Sequence, residues 1–138
     1  MKKIILASLF CLQYLTGIAQ TDSTTFKGHL TNKEYEVYLE INFYENNVKV
    51  PGQEIFGEIS GYFGDSKDGR KWLITDAEIE GKTAHLSLIN DYGSEDLSAD
   101  LTKEADGTYC LTQQNGSTLK IARNRKWVKM PKKLFFKK

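Results

Sequence analysis

Cysteine is close to absent from this chain. Cys11 falls in the apolar leader described below, and Cys110 stands alone in everything that follows. An internal disulfide is therefore excluded, and apolar burial must supply the stability. Thr108 and Thr112 share a face with Cys110, which predicts a half-buried strand position for the thiol. Histidine is equally scarce. His29 and His85 offer no matched ligand spacing, whereas a zinc site wants three or four ligands in a defined arrangement, so neither a metal site nor a cofactor is expected. Helical periodicity is missing as well, because no long stretch repeats apolar residues at three-and-four spacing. Acidic residues stop at Asp106. From Lys120 onward there are nine basic residues and no acidic one: Lys120, Arg123, Arg125, Lys126, Lys129, Lys132, Lys133, Lys137 and Lys138. Residues 20–119 hold eight Lys or Arg against eighteen Asp or Glu, a net of −10 against +9 for the end of the chain. Such segregation points to self-association of body and tail, or to an anionic partner.

The first residues have the form of an export signal. Lys2 and Lys3 precede the apolar run Ile4 to Leu12, and Gly17-Ile18-Ala19 places small residues two apart, as signal peptidase requires. Cleavage is expected after Ala19, leaving Gln20 as the new N-terminus. The run is too short to cross ~30 Å of hydrocarbon. Phe10 before Cys11 does not suit a lipoprotein, where a small residue precedes the modified cysteine. The reading is residues 1–19 signal peptide, 20–124 folded domain and 125–138 a basic and aromatic tail, with export to a periplasm or the cell exterior. The 119 residues left after cleavage suit one core.

Period-two alternation dominates that domain. Tyr35, Val37, Leu39, Ile41 and Phe43 share one face, and Ile55, Gly57, Ile59, Gly61 and Phe63 repeat the pattern. Ala84-Leu86-Leu88, Leu97-Ala99-Leu101 and Leu119-Ile121 continue it. Asn46-Asn47, Asp68-Gly69, Gly81-Lys82, Asp106-Gly107 and Asn115-Gly116 supply turn residues at regular intervals. Pro51-Gly52 marks a kink or bulge. About eight strands result, near 25–31, 34–44, 47–63 (interrupted), 70–80, 82–90, 95–103, 107–114 and 117–124. The fold class is all-β, an antiparallel up-and-down barrel, since closure removes sheet edges; an open β-sandwich is the alternative. Gly57 and Gly61 suit an inward face on a tightly curved strand. A transmembrane barrel would need strands of ~9–11 residues and a lipid-facing apolar band, and several strands here are shorter.

The hydrophobic–glycine rhythm of Phe26-x-Gly28-x-Leu30, Tyr35-x-Val37-x-Leu39, Gly57-x-Ile59-x-Gly61-Tyr62-Phe63, Trp72-Leu73-Ile74 and Ile79-x-Gly81-x-Thr83-x-x-Leu86 resembles small secreted bacterial β-barrel proteins of lipocalin- or streptavidin-like build. The resemblance spans most of Phe26 to Arg123. It implies a barrel and transfers no functional residue, because the Gly-x-Trp of true lipocalins and avidins is replaced by Gly28-His29-Leu30.

No catalytic constellation stands out. Asp65-Ser66-Lys67-Asp68-Gly69 fails as a calcium loop because Lys67 and Gly69 occupy ligand positions. Asp91, Glu95, Asp96 and Asp100 crowd one loop as a weak calcium candidate or as solvated charge. Ser60 of Gly57-Glu58-Ile59-Ser60-Gly61 is not the central serine of a nucleophile elbow, and no helix follows it. Glu36, Glu40, Glu58 and Glu78 could pair for glycoside chemistry, but alternation puts them on the outer face. The expectation is a non-enzymatic binding module. One mode uses the barrel mouth, with Tyr62, Phe63 and Trp72 as its aromatics and a small apolar ligand. The other uses an outer surface against an extracytoplasmic protein. The competing reading is surface association with an anionic membrane or polyanion through Arg123, Arg125, Lys126, Trp127, Lys129, Lys132 and Lys133. A plainer role for that segment has Trp127 and Phe135 covering a barrel end while the lysines stay wet. A secreted hydrolase with paired carboxylates ranks last, and nucleic acid is not expected for an exported domain.

Overall fold

The computed structural model describes residues 22–138; the expected signal peptide, its cleavage point and Cys11 lie outside the described residues. The elements are β1 (Lys27–Asn32), β2 (Val37–Asn42), β3 (Val48–Lys49), a 3-10 turn (Glu54–Phe56), β4 (Glu58–Ile59), β5 (Gly61–Asp65), β6 (Asp68–Glu80), β7 (Thr83–Asn90), β8 (Asp96–Lys103), β9 (Tyr109–Gly116), β10 (Lys120–Arg123), β11 (Lys126–Lys129) and β12 (Lys133–Phe136). Eight of them form one antiparallel sheet in the order β1-β2-β5-β6-β7-β8-β9-β12. The sheet curls until its two edges meet: Thr31 and Lys137 exchange backbone hydrogen bonds of 2.7 and 2.9 Å, and the Asn32 amide donates to the Phe135 carbonyl at 2.8 Å. The result is a nearly closed barrel in which each strand follows its neighbour in sequence, apart from two excursions.

Alternation drives the curl. Ala84, Leu86 and Leu88 on β7 and Leu97, Ala99 and Leu101 on β8 all point into one core, together with Leu30, Leu39, Ile41, Phe63, Trp72, Ile74, Leu111, Leu134 and Phe136. Bulges at Thr75 on β6 and Gln114 on β9 add one residue against the partner strand, which sharpens local twist and bends the sheet toward closure. Gly61 faces inward, where β5 crosses β2 so closely that a methyl group would lie 2.9 Å from Ile41 Cγ2 and nearer still to the Glu40 carbonyl oxygen. No side chain fits there.

Both ends are filled. At one end the N-terminal segment folds inward. Phe26 stacks on Phe43 at 5.7 Å and meets Tyr109 edge-on. The Tyr109 hydroxyl donates to the Thr25 carbonyl at 2.6 Å, and the Phe26 N–H donates to the Tyr44 hydroxyl at 3.0 Å. At the other end lie the β1–β2, β5–β6 and β7–β8 turns. There the β10–β11 hairpin folds across the opening and sends Leu119, Ile121 and Met130 into the core.

Three expectations need correction. Residues 47–63 are not one interrupted barrel strand. Residues 48–59 form the first excursion, a small β3–β4 ribbon lying outside the wall, with Val50 packed on Tyr62 and Leu73. Ile55 there is 90 % exposed, and Gly57 turns the chain at φ 63° rather than lining the interior. The boundary at residue 124 is also wrong. Residues 126–129 complete the second hairpin, and residues 133–136 are the eighth strand of the barrel, with Leu134 and Phe136 inside and Lys133 and Phe135 outside. Last, Cys110 is buried rather than half-exposed. It stands between Thr102 of β8 and Phe135 of β12, with Sγ 3.6 Å from the Thr112 hydroxyl.

One side chain pins the second excursion to the wall. Gln113 continues the inward series Tyr109, Leu111 but is polar. Its Oε1 accepts from the Leu119 N–H at 2.7 Å, and its Nε2 donates to the Met130 and Pro131 carbonyls at 3.3 and 3.0 Å. Replacement Gln113→Leu keeps the volume and strands three backbone groups in or beside the core. A loss of about 3 kcal/mol is expected in urea unfolding, with the β10–β11 amides losing hydrogen-exchange protection first.

Candidate functional site: the hairpin lid

The lid reverses through Asn124 and Arg125, both left-handed at φ 53° and 65°, which is the backbone a two-residue hairpin turn needs. Asparagine adopts it readily; arginine is strained there. Ion pairs latch the hairpin to the barrel rim. Arg123 reaches Asp65 at the β5–β6 turn in a two-pronged contact of 2.5 and 2.8 Å, and a guanidinium N–H also donates to the Tyr35 carbonyl at 2.8 Å. The Asp65 side chain is only 3 % exposed and that of Arg123 24 %, so the carboxylate is buried while the guanidinium still meets solvent, and Asp65 holds that guanidinium even more firmly protonated than usual. At the β7–β8 turn of the same end, Lys120 Nζ meets Glu95 Oε1 at 2.7 Å.

Between these latches three aromatic rings stand in line. Trp72 meets Tyr92 edge-on at 6.3 Å, and Tyr92 stacks with Trp127 of β11 at 5.0 Å and 19°. The Arg70 guanidinium and the Lys120 ammonium lie 5.2 and 5.5 Å from the Trp127 ring centre, within the range where a ring quadrupole attracts a cation. Beneath Trp127, the Trp72 Nε1 and the Tyr92 hydroxyl are buried without a hydrogen-bond partner among the described residues. Burial pushes the Tyr92 hydroxyl upward in pKa. Asn90 and Trp72 pull it down more weakly, yet neither reaches hydrogen-bond geometry with it.

The residues expected to form a mouth do not assemble into one. Phe63 and Trp72 are interior fill, each 1 % exposed, while Tyr62 points outward into the small cluster with Val50 and Leu73. Adjacent residues on a strand take opposite faces, so Tyr62 and Phe63 cannot share a pocket. Burial lifts the Tyr62 hydroxyl to about 12, with Tyr38 adding to the effect. Of the residues expected at an anionic surface, Arg123 is consumed by Asp65 and Trp127 is packed on Tyr92, half-exposed rather than capping the core. Phe135 is likewise half-exposed on the outer wall. Arg125, Lys126, Lys129, Lys132 and Lys133 are exposed, and among the described residues no carboxylate pairs with them. Sequence reading missed Asp65, Arg70, Tyr92 and Gln113 as partners of the lid, because the contacts join residues far apart along the chain and no local pattern announces them.

The other polar clusters are committed to one another. Asp91 accepts from the Lys71 N–H and the Gln53 amide, and Glu95 from the Asn90 amide and Lys120. Among the described residues no group of three or more His, Cys, Asp or Glu could hold a metal ion. On the outer wall His29 Nδ1 meets Glu40 at 2.8 Å and His85 Nδ1 meets Asp100 at 2.7 Å. Glu36, Glu58 and Glu78 are exposed outside the barrel. Compared with known proteins, the chain matches no family model, no curated protein and no solved structure.

Two outcomes are expected. Arg125→Gly relieves the left-handed strain and raises stability by about 1 kcal/mol, read as a higher urea midpoint at unchanged slope. The Asp100 hydrogen bond raises the His85 pKa above the usual 6.5. The pair's stabilisation is then complete below that ordinary value and fades as pH climbs through the raised one. An NMR titration places the His85 midpoint above that of Asp100→Asn.

Proposed function

We propose that the protein is an exported, non-enzymatic binding module that meets a negatively charged partner with its outer surface, at the lid and the adjoining start of β12. The hydrophobic–glycine rhythm of the strands is what groups it with small secreted barrels of lipocalin- or streptavidin-like build. The observation that carries the reading is a division among the cations. Lys120 and Arg123 are spent on Glu95 and Asp65, whereas Arg125, Lys126, Lys129, Lys132 and Lys133 stand exposed on one continuous piece of chain. The internal acid therefore does not neutralise this surface, and its field extends into solvent. A ligand in the mouth is the weaker mode, because one end is filled by Phe26, Phe43 and Tyr109 and the other by the lid's own apolar side chains.

Each exposed cation near an anionic lipid surface contributes about 1 kcal/mol. Vesicles containing phosphatidylserine and a heparin column present the two sources of such charge. Retention on one or both is expected, falling steeply as salt rises. Replacing Arg125, Lys126 and Lys129 with Gln should weaken it about 100-fold. Heparin retention without vesicle binding assigns a soluble polyanionic partner. Retention untouched by the triple replacement, or by salt, would remove the reading.

A further inference from the structure

We infer that the chain associates with itself head to tail, Ile55 of one copy entering a notch at the β1–β12 seam of the next. This concerns surfaces other than the lid and does not depend on the reading above. Ile55 is 90 % exposed, and Phe56 beside it is exposed as well. A single apolar side chain in water is ordinary, but this one is held out on a fixed support. The Phe56 and Gly57 N–H groups donate to the Gln53 and Glu54 carbonyls at 3.2 and 3.0 Å and close the 3-10 turn. The Gln53 amide is tied to Asp91 at 3.1 Å, and Val50 packs the ribbon onto Tyr62 and Leu73. A side chain presented on so firm a turn loses little freedom when it docks.

The complement lies at the seam. Thr31 and Lys137 form its single bridge, and beside that bridge is a notch of about 200 Å³, lined by Phe135, Phe136, Thr31, Thr108, Lys33 and Lys137. That is smaller than the ~300–1,000 Å³ of an ordinary ligand pocket and suits one branched aliphatic side chain. The charges match. Glu54 and Glu58 flank Ile55, and Lys33 and Lys137 line the notch; among the described residues none of the four is ion-paired. Two opposing charges do not cancel this. Lys49 stands across the ribbon from Glu58 and leaves Glu54 free, and the Asp106 carboxylate near Lys137 is taken up by the Thr108 N–H and hydroxyl. A chain cannot fill its own notch, because the ribbon is packed on β5 and β6, two and three strands round the barrel from β1. A second copy can. The contact joins unlike surfaces, so every added copy keeps one knob and one notch free, and assembly does not end at a dimer. It is also small, well under the roughly 1,000 Å² of a stable interface, so association is weak.

Sedimentation velocity between about 20 µM and about 1 mM should give a wild-type sedimentation coefficient that rises with concentration and does not level off at a dimer. Ile55→Asp removes the knob, and Lys33→Glu with Lys137→Glu reverses the notch. These side chains are exposed, and each variant should associate at least about tenfold more weakly. Mixed in equal amounts, the two variants share one intact contact, the knob of one against the notch of the other. The mixture should recover a dimer and stop there. A wild-type chain that stays monomeric or stops at a dimer, a variant that associates as well as wild type, or a mixture no larger than its separate parts overturns the assignment. If the double lysine variant loses its spectral dispersion, NMR on nitrogen-labelled wild-type protein decides. On dilution the amide resonances of residues 54–58 must move together with those of Lys33, Phe135 and Lys137; movement of one set without the other, or of neither, overturns it.

Discussion

A sheet rolled around one apolar interior has two open ends and one seam, and water must be kept from all three. The inward segment before β1, the β10–β11 hairpin and the bridge between β1 and β12 each answer one of those demands. Phe26, Phe43 and Tyr109 fill the first end, where the Tyr109 hydroxyl donates to the Thr25 carbonyl and the Phe26 N–H to the Tyr44 hydroxyl. The β10–β11 hairpin closes the second. The seam is closed by one backbone bridge, Thr31 to Lys137, plus the Asn32 amide. That leaves β12 partly an edge strand, and its flanking lysines 132, 133, 137 and 138 make sense there for a reason unrelated to partners. Lysine on an exposed edge opposes further strand addition. The basic end of the chain thus takes part in closure while most of its cations stay exposed.

The lid is built differently from the body it covers. The barrel wall rests on ladder hydrogen bonds and apolar burial, which are insensitive to salt. The lid adds polar latches at its rim, an Arg123–Asp65 pair whose carboxylate is buried and a part-buried Lys120–Glu95 pair. Buried pairs add little net stability compared with apolar contacts, yet losing one partner is costly because the other charge is left stranded. Such contacts fix where the hairpin sits more than how tightly the whole chain folds. Arg125 at φ 65°, together with the buried Trp72 Nε1 and Tyr92 hydroxyl that have no partner among the described residues, adds local strain in the same small region. Strain and unpaired groups concentrate where a protein retains something besides stability, and here they concentrate at one end of the barrel.

How much of this could be read from residue order varies by element. The walls were legible: the alternating runs at 37–41, 84–88 and 97–101 face inward as expected, and Gly61 sits where two strands approach most closely. The outer placement of Glu40 and Glu78 followed from the same rule. The 47–63 segment misled because Ile55, Gly57 and Ile59 keep the phase of Gly61 and Phe63 while belonging to a ribbon outside the wall. Alternation states which residues share a face, not which sheet the face belongs to. The final strand was hidden for the opposite reason. Its Lys-Leu-Phe-Phe sequence alternates, but the surrounding lysines give the segment the composition of a solvated tail.

Residue order alone determined that the body is extended chain with one greasy face, that this body holds a single cysteine, and that positive charge gathers at one end. Those properties follow from side chains two apart and from simple counting, so they need no knowledge of neighbours. Tertiary structure alone decided that Tyr62 and Trp72 lie on opposite sides of the wall, that Arg123 is spent on Asp65, and that Trp127 rests on Tyr92. Each of these depends on which strands lie side by side. That pairing is chosen by the closure of the whole sheet, where distant segments become partners because every other arrangement would leave an end or an edge open to water.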